Sequence, residues 1–246
     1  MPTEETRRPQ QSSQARWMVP AGLVLLAGLA VGLVVGGGAD LVEVAGIEGP
    51  GRTVTWGLPV IRLLAVAASV VTVGLLGYAA VLGPQGRKGV LSRVGRADVV
   101  RAGVVAGIWS VLSVATAAWA LAWALGLPLT RTLTPDVIGT YLWSVDAARA
   151  WLFVAVIAAA IAIGCVFTAT VTGAGISLVA ALIGVALPAL TGHSSSLGSH
   201  GVAMTSDVVH ALAMSVWVGG VVAILFHGVR NDPGTMRALP VFKTVA

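Results

Sequence analysis

An all-α polytopic membrane helix bundle, with about six transmembrane helices and both termini cytoplasmic, is the fold class this sequence predicts. Three observations carry the expectation. First, the 246 residues are 57% apolar (AVILMFWYC) and only 10% charged, with a mean hydropathy of +0.91. A soluble domain is about 25% charged, so this chain cannot coat a water-facing surface; an ordinary soluble enzyme and a disordered chain are excluded. Second, six segments are long and apolar enough, or nearly so, to cross a hydrocarbon core of about 30 Å as helix. Third, the Lys and Arg residues alternate from side to side along those segments, as they do in multi-pass proteins.

Residues 1–16 (MPTEETRRPQQSSQAR) are polar and rich in Pro and Gln, and read as a disordered cytoplasmic tail. The transmembrane bundle is expected over 17–229. Its first helix covers about 17–38; Arg7, Arg8 and Arg16 precede it as in a signal peptide. The apolar stretch exceeds the usual h-region and no A-x-A site follows, so the helix reads as retained. Gly28, Gly32 and Gly36 recur every fourth residue there, a spacing that lets helix backbones approach closely. The second helix is expected at about 57–83, and the third at about 99–125 with Gly103 and Gly107 in the same spacing. The fourth covers about 150–171. The fifth, about 174–190, is shorter and parted from it only by Thr172 and Gly173. The sixth covers about 206–229, and 230–246 reads as a cytoplasmic tail or a truncated link to further helices. Lipid leaves every backbone polar group to be satisfied internally, so these runs are helices; the short alternating segments of an outer-membrane barrel do not occur.

The cations fix the orientation. Arg7, Arg8 and Arg16, then Arg87, Lys88, Arg93, Arg96 and Arg101, then Arg230, Arg237 and Lys243 fall on one side. Arg52, Arg131 and Arg149 fall on the other, and Arg62 lies inside the second helix. Eleven against three places the N- and C-termini inside, as an even helix count also requires. The net charge of +5 is thus a topology signal rather than a nucleic-acid surface. Trp17 suits the inner interfacial belt and Trp56, Trp143 and Trp151 the outer one, while Trp109 and Trp217 sit deeper.

Chemistry has few places to live. Cys165 is the single cysteine, which forbids an intrachain disulfide or a CxxC site and reads as a core thiol. No GxxxxGK[ST], HExxH or GxSxG occurs, so a non-enzymatic protein is expected. All four histidines lie in the last quarter of the chain. His193 and His200 fall in the expected loop TGHSSSLGSHG, His210 one turn inside the sixth helix, and His227 near its cytoplasmic end, where a cation suits the helix dipole. Asp207, His210 and Met214 stand at i, i+3 and i+7 on one helix face, and Trp217 continues the stripe. Imidazole and thioether together suit copper. Asp207 reads equally as an orienting acceptor for His210 or, with Thr205 and Ser206, as part of a helix N-terminus. Arg62 reads as snorkelling to the interface, with pairing to Asp207 or an anion as the alternative. Asp146 and Arg149 read as a surface ion pair.

The segment TGHSSSLGSHGVAMTSDVVHALAMSVWVGGVVAIL resembles the copper-resistance protein D (CopD) family through His193, His200, Asp207, His210, Trp217, Gly219 and Gly220. The resemblance implies an integral protein of the cytoplasmic membrane that handles copper, passing it inward, with His193, His200 and His210 as candidate metal ligands, to which the helix spacing adds Asp207 and Met214. It implies an extracellular or periplasmic copper-binding protein as partner, and further helices beyond Ala246. It is similar as well to the actinobacterial fusions of such a domain with a cytochrome c oxidase assembly domain, which makes that assembly machinery a second expected partner. Acidic Asp40, Glu43 and Glu48 would raise the local cation concentration outside. Two other readings compete: a haem-binding electron-transfer protein with His210 and His193 as axial ligands, and a non-catalytic scaffold for oxidase assembly.

Overall fold

The computed structural model describes residues 49–84, 86–191 and 200–229. The expected first helix with its Gly28/Gly32/Gly36 stripe, the N-terminal tail, His193 and residues 230–246 lie outside the described residues.

Within them the chain is helical. Seven α-helices occur: α1 (Gly51–Gly77), α2 (Arg93–Leu125), α3 (Leu129–Thr132), α4 (Pro135–Tyr141), α5 (Asp146–Phe167), α6 (Val171–Ala189) and α7 (His200–Val229). Five spans, α1 with its extension to Leu82, α2, α5, α6 and α7, are long and apolar enough to cross a membrane. Several of their hydroxyls are satisfied by the preceding turn of their own helix, as the bilayer favours. Thr72 Oγ1 donates to the Ala68 carbonyl at 2.8 Å, and Thr116 Oγ1 to that of Leu112 at 2.7 Å. Large apolar side chains face outward, among them Val111 at 70% and Val156 at 67% exposure, the inverse of a soluble surface. Trp109, Val99, Val154 and Cys165 fill the core.

Helix ends depart from the apolar runs, each for a local reason. The third apolar run starts near 99, but α2 begins at Arg93, where Ser92 accepts the Gly95 N–H at 3.1 Å and caps it. Hydropathy outlines the membrane-embedded part of a helix; the polar first turns of α2 continue it beyond. The break between α5 and α6 falls at Thr168–Thr170 rather than Thr172–Gly173. Arg96 terminates α5 from across the bundle: its Nη1 donates to the Cys165 carbonyl at 2.8 Å and to that of Thr168, and its Nη2 to that of Val166 at 2.7 Å. Thr170 then caps α6 by accepting the Gly173 N–H at 3.1 Å. The connection 126–145 holds the short α3 and α4, and α5 starts at Asp146, ahead of the apolar run. There Asp146 and Arg149 form the expected surface pair at 2.6 Å.

Two close approaches position the helices. Gly103 on α2 faces α5, where an added Cβ would lie 2.8 Å from the Cβ of Cys165. Gly74 on α1 meets Gly219 on α7 backbone to backbone. A Cβ on Gly219 would lie 2.6 Å from the Val70 carbonyl oxygen and 2.9 Å from the Gly74 nitrogen. Small residues let helices touch this way in lipid, where packing replaces the hydrophobic effect as the adhesive.

Candidate functional site

The face of α7 that carries Asp207, His210, Met214 and Trp217 is turned away from the Gly219 contact. Asp207 and His210 are exposed, Met214 is 43% exposed and Trp217 is 52% exposed. The opposite face, with Ser215, Gly219, Ala223 and His227, is buried against the bundle. The helix begins at His200. His200 therefore opens α7 instead of lying in a loop, and Thr205, Ser206 and Asp207 sit inside the helix rather than at its N-terminus. That removes the capping role for Asp207. Among the described residues, no group of three or more His, Cys, Asp or Glu side chains converges as a metal site.

Met214 has a second environment. It lines a cavity of about 370 Å³ together with Arg62 and Ser69 of α1, Trp109 of α2, Trp151 of α5 and Ser215 of α7. Arg62, exposed along its side chain, thus contributes the cation of an otherwise largely apolar intramembrane space. All five spans border the cavity, and the fully buried Trp109 forms its inner wall.

A second polar cluster lies at the opposite end of α7. His227 is not an exposed cation at a helix terminus: it is wholly buried, with Nε2 2.9 Å from Oδ2 of Asp98, itself wholly buried on α2. The two atoms stand at ion-pair distance, and the contact becomes an ion pair only when the imidazole is protonated. Asp98 Oδ1 receives Arg101 Nη1 at 2.7 Å, and the Arg101 guanidinium lies 5.3 Å from the Phe226 ring centroid. Tyr78 stacks on the His227 imidazole with centroids 3.9 Å apart and planes 14° apart. Tyr78 opens the π-helical turn Tyr78–Leu82 that ends α1, a local widening that is frequent where function needs it. Sequence reasoning missed Asp98 altogether. The available signal was a lone carboxylate in RADVVRAGVV, entering an apolar run, with a lone imidazole in AILFHGV at the same depth.

A family model described as copper resistance protein D-like, N-terminal domain, matches residues 53–205, more than half of the chain. No curated protein and no solved structure matches it.

Proposed function

This chain belongs to the copper resistance protein D-like family, and from that premise we propose that it takes copper from the outer face of the cytoplasmic membrane and passes it inward. It is a multi-pass membrane protein whose apolar outer surface meets the bilayer. His193, His200, His210 and Asp207 would gather the ion outside, and Met214 would receive it deeper. The observation that carries this reading is the α7 stripe. Asp207 and His210 are exposed, and Met214, about 10 Å further along the helix than Asp207, borders the intramembrane cavity. Oxygen and imidazole donors followed by a soft thioether suit an ion that loses water as it descends. The ligand form of histidine is neutral, so copper retention falls as pH drops through the histidine range.

The test is copper content of purified protein and copper uptake into proteoliposomes. A His193/His200/His210→Ala triple variant is expected to lose bound copper. Met214→Leu, which keeps volume, is expected to retain folding and bound copper while uptake slows. Unchanged stoichiometry in the triple variant would sink the assignment.

A further inference from the structure

At the end of the bundle that carries Arg93 and Arg96, two ionisable side chains face each other out of reach of solvent. Asp98 of α2 and His227 of α7 have no exposed side-chain surface, and 2.9 Å separates His227 Nε2 from Asp98 Oδ2. Ionisable groups are expensive in membrane helices, and where they occur they mark ion pathways and proton relays. The surroundings decide between those. Arg101 occupies the other carboxylate oxygen at 2.7 Å, so a metal ion would enter beside a fixed cation, whereas a proton needs no open coordination space.

We infer that Asp98 and His227 form a proton-binding site. One proton taken up on the imidazole makes an imidazolium facing Asp98 Oδ2, and its release restores the neutral ring. Tyr78 stacks on the imidazole with ring centroids 3.9 Å apart. Arg101, whose side chain is 39% exposed and whose Nη1 is bonded to Asp98, links the buried pair to the surface. Among the titratable and charged groups facing the imidazole from the described elements are Asp98 and Arg101 on α2 and the Tyr78 phenol at the end of α1. Around Tyr78 pack the apolar Leu82, Ala223 and Ile224. Because the two partners sit on different helices, proton uptake turns a weak contact into an ion pair and tightens this end of α7 against α2. The inference stands apart from the copper reading and needs no copper to test.

The chain has four histidines, so the His193/His200/His210→Ala variant leaves His227 as the single imidazole. Nitrogen-15 NMR of this variant, labelled at histidine in detergent micelles, reads its protonation directly. The expected result is conversion of the imidazolium signal to the neutral one between about pH 5 and pH 8. Wild-type protein with the same label, compared with His227→Gln, identifies the same signal should the triple variant not fold. Adding Asp98→Asn is expected to reduce the imidazolium signal at about pH 6 to a minor fraction. A ring that stays in one protonation state throughout, or a titration that Asp98→Asn leaves unmoved, overturns the inference.

Discussion

Replacing Gly219 by alanine tests the backbone contact on which α7 is mounted. The added Cβ would stand 2.6 Å from the Val70 carbonyl oxygen, some 0.8 Å short of the 3.4 Å at which ordinary contact begins. The obstacle is main chain on α1, which cannot swing aside as a side chain does. The two helices must therefore part, and a gap of that size forfeits roughly a quarter to a half of the dispersion energy of the atoms alongside. Forced overpacking costs about 1–3 kcal/mol, against which alanine regains about 1 kcal/mol of helix propensity over glycine. The net expectation is a loss of up to about 2 kcal/mol. Gly164→Ala on α5 is the control, since its Cβ would meet nothing within 4 Å, and it should be neutral or stabilising. Reversible unfolding in mixed micelles of rising dodecyl sulfate fraction, followed by the fluorescence of the eight tryptophans, separates the two. If Gly219→Ala unfolds at the same detergent fraction as Gly164→Ala, the helix contact is looser than the backbone geometry requires.

Arg96→Ala removes the guanidinium from the carbonyls at the end of α5. It should cost about 2 kcal/mol, since hydrogen bonds to charged groups contribute roughly 1.5–3 kcal/mol and this one is partly solvated. Hydrogen exchange should quicken at the α5–α6 turn, and protection unchanged there would refute the role. Cys165 is buried at 1% exposure beside Gly103. Maleimide labelling should be negligible in native micelles and complete in denaturing detergent, whereas rapid native labelling would contradict the packing of α2 on α5.

The spans were legible because a hydrocarbon solvent imposes a crude, long-range rule on composition. The core position of Cys165 and the close approach at Gly103 followed from the same rule. Helix ends were not, because they lie where that rule stops. Arg93 and Arg96 look like loop cations in sequence; one begins α2 behind a Ser92 cap, and the other ends α5 from across the bundle. His200 looks like a loop residue and instead opens α7. The Asp98–His227 pair was hidden for a related reason. A carboxylate near a run of arginines reads as part of a solvated face until a second helix, 129 positions later in the chain, is known to cover it. The α7 stripe was legible as a periodicity, since i, i+3 and i+7 share a face by helix geometry alone. Which way that face points was not, because small residues at 215 and 219 decide it by docking on α1.

The Gly74–Gly219 crossing also has a mechanical meaning. With no side chains at the point of contact, it has the geometry of a fulcrum for any rocking of α7 as a rigid rod. From Gly219 to His227 the arm is about 12 Å, and from Gly219 to Asp207 about 18 Å. A displacement at the His227 end is thus returned at the Asp207 end reversed in direction and magnified by about half.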